Sequence, residues 1–282
     1  MSPAVNSSAS ELVEQVLQKI PPFPPIAARL LKLLSNDSVS VNEIAELIAS
    51  DPIFSARILS RVNSAAFGLS HPVGNIRQAV ALLGLERTRQ LTLTVATSAY
   101  TQGALRVVEL RRCWEHTVAT AILSDEIARA CEIFKDNAYS AGIIHDIGRL
   151  GLLVAYPKKY TKIIRDADAL SLDALDLERE QFGMDHTEIG RTLVERWKLP
   201  QEFRLIAGRH HDPCEGGELD LLRVVRVACR LAVALGFGIS TTPVTLEPDS
   251  ILNELPSGAR KNLAGSAPDL NAQLEQRIQA YC

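Results

Sequence analysis

Five of the six histidines in this 282-residue chain, His116, His145, His186, His210 and His211, lie between residues 116 and 211. His145 is followed directly by Asp146 in SAGIIHDIGRLGLL, an apolar run punctuated by glycines. Neutral imidazoles and a carboxylate around a divalent cation can lower the pKa of a bound water and drive hydrolysis, provided one coordination position stays open. Helical spacing puts His116 on one face with Thr120, Leu123 and Ile127, and His145 with Ala141, Gly142, Gly148 and Leu152. Phe203, Ile206 and Ala207 lead in the same way to His210. The imidazoles are therefore expected to point inward, towards one another, where small neighbours leave room. A single inward histidine is more often a hydrogen-bonded core residue than a ligand, but several beside one Asp bring metal binding level with that reading. What the set lacks is a late carboxylate. Its expected place is in VVRVACRLAVALG, where Cys229 stands in an apolar stripe with Val225 and Ala232. Asp185 and Asp212 could supply one, but their turn and helix-start contexts fit capping better.

Other chemistries find less support. The chain has no GxSxG elbow, no P-loop and no GxGxxG stretch. Its five cysteines, Cys113, Cys131, Cys214, Cys229 and Cys282, are widely spaced without a CxxC pair and read as reduced thiols. A net charge of −3 and a pI near 6.1 argue against a dedicated nucleic-acid binder. Arg57, Arg61, Arg77, Arg87 and Arg89 could mark a local DNA-binding face, but arginines on exposed helices are ordinarily solvated or paired. No apolar run reaches membrane-spanning length, and MSPAVNSSAS lacks the basic and apolar regions of a secretory leader, so a cytoplasmic location is expected.

The elements that must position these residues read as helices throughout, because apolar residues recur three and four apart and strict alternation is scarce. After a short polar leader, SELVEQVLQKI predicts a first helix, which IPPFPP must end. Ser40 and Glu43 form a capping-box pattern, and Asp51 with Pro52 starts DPIFSARILSRVNSAAFG, a helix expected to close at Gly68. NIRQAVALLGLERTRQLTLTVATSAY is apolar nearly all round and predicts one or two central helices bridging two halves. The expected fold class is all-α, two packed helical bundles. Residues 1–19 form a leader and the start of the first helix, 20–105 an N-terminal bundle, 106–238 a second bundle with the histidines, and 239–282 a tail ending in a helix that packs back on the body.

The stretches IPPFPPIAARLLKLL, IAELIASDPIFSARILSRVNSAAFG and NIRQAVALLGLERTRQL, followed by IIHDIGRL, GMDHTEIGRTLVERWKLP and RHHDP, resemble the HDOD family of bacterial signalling domains from about Ile20 to Gly238. The resemblance implies that the second bundle is HD-superfamily-like, related to the HD phosphohydrolases and to the HD-GYP enzymes that cleave cyclic di-GMP. It implies a signalling output exerted through protein contacts, with signalling proteins as partners and no complete catalytic set. On this resemblance His116 matches the first histidine of the HD pattern, His145 and Asp146 the HD pair, and His186, His210 and His211 the later histidines. Cys229 stands where the superfamily has its final metal-binding Asp, and Arg149 where HD-GYP enzymes carry a lysine. No GYP motif follows His211. Zn, Fe or Mn are the ions such a residue set would take. Two functions follow: a non-catalytic signalling protein, or a metal-dependent phosphohydrolase acting on a nucleotide or cyclic dinucleotide with Arg149 near the phosphate.

Overall fold

The structure is a computed structural model that describes residues 4–34, 39–64, 67–134, 137–213, 218–240, 246–264 and 267–281. Among these, every regular element is helical. Helix α1 (Ala4–Lys19) already includes the polar stretch expected to precede it. Nothing from residue 4 to residue 19 is Gly or Pro, so no residue stops the helix from extending. The prolines after Ile20 end it, and α2 (Pro25–Leu34) uses Pro25 as its first residue.

Helix α3 (Val41–Ala49) begins with the expected capping box. Ser40 Oγ accepts from the Glu43 amide at 3.2 Å, and the Ser40 amide donates to Glu43 Oε2 at 2.8 Å. Helix α4 (Pro52–Val62) is capped by Asp51, which accepts from the Phe54 amide at 3.0 Å. It ends at Val62 rather than at Gly68. The Asn63 side chain donates to the Val73 carbonyl at 2.9 Å and accepts from the Val73 amide at 2.7 Å, tying the chain to the following loop instead of extending the helix.

Helix α5 (Ile76–Thr101) lies between the halves, touching α2, α3 and α4 on one side and α7 and α8 on the other. It is broken at Gly84, whose φ of 73° only glycine adopts freely, which explains why the sequence reads equally as one helix or two. Helices α6 (Val108–Ala130), α7 (Ala138–Ile144), α8 (Ile147–Ala155), α9 (Pro157–Leu170) and α10 (Ala174–Phe182) follow. Then come α11 (His186–Arg196), α12 (Glu202–Arg209) and α13 (Leu221–Ala234). In the tail, α14 (Pro248–Leu252) and α15 (Ser257–Ala264) precede α16 (Ala267–Tyr281), which packs back on α6 and α5 and pairs Arg277 with Glu126 at 2.7 Å.

The boundary expected at residue 105 falls between α5 and α6, yet one hydrophobic core runs from Val16 to Ile278 through both halves. Phe23 stacks on Trp197 with ring centroids 5.5 Å apart, and Tyr100 meets both rings edge-on at 6.1 Å, so the proline-rich segment is clasped to the second half. No described helix is long and apolar enough to cross a membrane. Cys113, Cys131 and Cys229 are free thiols, as expected, while Cys214 and Cys282 lie outside the described residues.

Candidate metal centre

Helix α6 carries His116 at its middle, and the α7–α8 junction presents His145 and Asp146 opposite it. The approach is possible because Gly142 lies against α6: a Cβ there would stand 2.4 Å from Cα of Ala121. On the far side, a Cβ on Gly148 would lie 2.0 Å from the His186 carbonyl and 2.5 Å from the Gly190 amide. Glycine therefore sets the depth at which α8 meets α11, and so the distance from Asp146 to His186. Asp185 caps α11 as expected, accepting from the amides of Thr187 at 2.8 Å and Glu188 at 3.0 Å. Asp212 is not a cap. It pairs with Arg209 at 2.7 Å and Arg226 at 3.5 Å, and the next described helix starts at Leu221 and is capped by Asp220.

The structure brings the expected residues together. Asp146 Oδ1 lies 3.3 Å from His186 Nε2 and 3.4 Å from His210 Nε2, and its Oδ2 lies 3.7 Å from His145 Nε2. Cys229 Sγ is 3.4 Å from His116 Nε2. His211 sits at the rim: part of the residue reaches solvent, while its ring packs against those of His210 and His186 with centroids 4.4 and 5.0 Å away.

The anchoring of the rings is consistent. Nδ1 of His116 bonds to the Phe237 carbonyl at 2.9 Å, Nδ1 of His145 to the Gly142 carbonyl at 2.6 Å, and Nδ1 of His210 to the Ala207 carbonyl at 3.1 Å. Nδ1 of His186 donates to Glu178 Oε2 at 2.7 Å. Each partner is an acceptor, so each of these rings carries its proton on Nδ1 and turns the bare Nε2 inward. Metal-ligating histidines are held by outer partners of this kind. His145 Nε2, His210 Nε2 and Asp146 Oδ1 are buried without a hydrogen-bond partner, a costly state that a cation would relieve. The residues thus fit a metal ion, and two groups have ligand atoms within 4.8 Å of one another: Asp146, His186, His210 and His211, and His116, His145 and Cys229.

Burial dominates the electrostatics. It lowers the pKa of His116, His145, His210 and His211, favouring the neutral form that metal ligation needs. Burial alone would raise the Asp146 pKa, but the Arg149 guanidinium bonded to it holds it well below the usual carboxylate range. Burial pushes the Cys229 thiol up to about 12.

Arg149, expected near a phosphate, is 4% exposed and its guanidinium is engaged inside the protein. Nε donates to Asp146 Oδ2 at 2.9 Å and Nη1 to the Tyr160 hydroxyl at 3.0 Å. Nη2 lies 3.0 Å from Nε2 and 3.3 Å from Nδ1 of His186. Near-equal distances to both ring nitrogens put that nitrogen over the imidazole face rather than in line with a lone pair. Beneath the pair, Tyr160 donates to Glu178, which is fully buried. Glu178, which the sequence reading did not single out, thus stands behind His186 on α10 as the ring's outer partner, and the ligand position at Cys229 remains without a carboxylate. The one signal of Glu178 is position: it comes four residues before Phe182, on the buried face of that helix. Tyr160 and the Phe237 carbonyl carried no signal that residue type could reveal.

A cavity of about 880 Å³ opens above the centre, reaching His116, His211, Cys229 and Arg149 between walls that include Ile163, Ile164, Val233 and Phe237.

The helical architecture and a buried His-Asp pair ringed by histidines define an HD-type protein. The HDOD domain pattern matches residues 20–213, and the chain belongs to that family. The match stops short of Gly238, leaving α13 and Cys229 outside it. An uncharacterized protein of Treponema pallidum (strain Nichols) is 23% identical over 96% of this chain, and this chain spans about half (53%) of that protein's length. An HDOD domain protein of unknown function from Geobacter sulfurreducens, 21% identical, superposes with a TM-score of 0.76 over 96% of this chain and 98% of that one. A protein of Shewanella amazonensis SB2B named as a candidate phosphohydrolase is 26% identical, with a TM-score of 0.68 over 94% of this chain and 97% of that one.

Proposed function

We propose that this chain is a non-catalytic cytoplasmic signal-transduction module that acts through contacts with other signalling proteins and keeps its HD-type centre to hold a metal ion or small ligand. The observation that carries this reading is Cys229 beside His116. A hydrolytic centre built on Mn²⁺ or a like hard ion needs anionic oxygens beside its imidazoles to hold the cation and turn a bound water into hydroxide. Here the donors facing inward are imidazoles, one thiol and a single carboxylate, and Arg149 already holds one oxygen of that carboxylate. Protein contact is supported by apolar side chains left on the surface of the N-terminal half, Ile53 at 72% and Leu82 at 57% exposed.

The second reading, a metal-dependent phosphohydrolase for a nucleotide or cyclic dinucleotide, is favoured by the cavity, whose size suits such a ligand and which reaches the centre itself. The test is turnover of cyclic dinucleotides and of a generic phosphodiester by the purified chain with Mn²⁺ or Fe²⁺, beside Cys229→Asp. The expected result is no turnover by the wild type and tighter Mn²⁺ binding by the variant. Turnover by the wild type that disappears in His145→Ala would establish the hydrolase instead.

A further inference from the structure

We propose that His116, His145 and Cys229 form a site for one thiophilic ion of the zinc class. This deepens the reading of the centre as a metal-holding element and rests on it. The cysteine is one of three donors within 4.8 Å of one another, carried by α6, the α7–α8 junction and α13. The two imidazoles are oriented from behind by the Phe237 and Gly142 carbonyls, leaving both Nε2 atoms unprotonated, with the Cys229 thiol donating to that of His116 at 3.4 Å. His145 Nε2 is buried, aimed into the group and without a hydrogen-bond partner.

Two considerations separate this half of the centre from the half around Asp146. First, the Asp146 half already holds a cation: the Arg149 guanidinium bonds to Asp146 Oδ2 and lies over the His186 ring. A divalent ion there would sit against a fixed positive charge with little solvent to screen it. Second, thiolate with imidazole suits zinc and related soft or borderline ions, whereas carboxylate oxygen suits magnesium and manganese. An access route exists, because His116 and Cys229 both line the large cavity. On binding, the Cys229 S–H bond breaks, its proton leaves to solvent and a sulfur–metal bond forms, with no change of oxidation state.

The experiment is a Co²⁺ titration of the metal-stripped chain followed by absorption, with X-ray absorption at the zinc edge of the Zn²⁺-loaded wild type. Thiolate-to-cobalt charge-transfer absorption and a sulfur at about 2.3 Å from zinc are expected in the wild type. Cys229→Ser should abolish the charge-transfer band. It should also weaken Zn²⁺ binding by more than the roughly 10–100-fold that loss of an outer partner costs. Cys229→Ala, which adds no buried hydroxyl, serves if the serine variant does not fold. A band that survives either substitution overturns the proposal. Cobalt bound without the band, or zinc without sulfur, overturns it too while leaving the metal-holding reading intact. Turnover of a phosphodiester would remove the non-catalytic reading and leave this site standing.

Discussion

Glu178 Oε2 accepts from Nδ1 and from the backbone amide of His186, both at 2.7 Å, so one buried carboxylate fixes the ring's tautomer, its orientation and the start of α11. Glu178→Gln keeps the shape but removes the charge that holds the His186 Nδ1 proton, and is expected to cost about 1.5–3 kcal/mol in urea denaturation. Glu178→Ala leaves the Arg149 and Tyr160 network without its acceptor and should cost about 3–5 kcal/mol in urea denaturation. Unchanged values for both would reduce Glu178 to a packing residue.

Acid should unfold the metal-free chain in two stages. His116, His145, His210 and His211 titrate below 6.5 in the folded state, and Asp146 and Glu178 below 3.8 and 4.5 respectively. In each case the unfolded chain takes up its proton at a higher pH than the folded one, so stability is fully present above the unfolded value and falls as the pH drops. The urea midpoint is expected to be flat above about pH 7, to decline below about 6.5 as unfolded histidines protonate, and to fall further below about 4 with the carboxylates. A midpoint that rises on mild acidification would mean the imidazoles are charged when folded.

Gly148→Ala is expected to be among the most damaging small substitutions in the chain. Its Cβ meets the backbone of His186 and Gly190, which no rotamer change can relieve, so the helices must separate at a cost of about 3 kcal/mol or more. Gly74→Ala, with nothing within 4 Å of the added carbon, is the control and should shift the thermal midpoint little. Comparable losses in the two variants would contradict the close approach of α8 and α11.

The aromatic clasp should couple the two halves energetically. Phe23 is 3% exposed, and Phe23→Ala is expected to cost about 3–5 kcal/mol. A double-mutant cycle with Trp197→Ala should return about 0.5–1.5 kcal/mol of coupling for the stacked pair. Zero coupling would mean that the rings are neighbours without mutual stabilisation.

Which of these features could be read before folding depended on whether they are local. The Ser40–Glu43 capping box, the Asp51–Pro52 start and the Asp185 cap each satisfy backbone amides within a few residues, so sequence alone displays them. The inward set from His116 to Cys229 was legible because each member sits on an apolar helical face. Glu178 was not, since a glutamate among DLEREQ looks like part of a solvated surface until α9 and α11 close over it. The end of α4 was misplaced because Asn63 bonds to Val73 across a loop. Arg149 was placed at the site by the family resemblance, as the counterpart of the HD-GYP lysine, but its inward engagement needed Tyr160 and His186 from other helices.

Phe237 belongs to two surfaces at once: its carbonyl holds His116 Nδ1 at 2.9 Å, and the residue forms part of the cavity wall. An occupant of the cavity that displaces this peptide unit must tilt the His116 ring and change its affinity for an ion. Thermodynamic reciprocity then requires the ion to change the occupant's affinity by the same factor. A single main-chain carbonyl would thereby make the centre and the cavity two inputs to one conformational equilibrium.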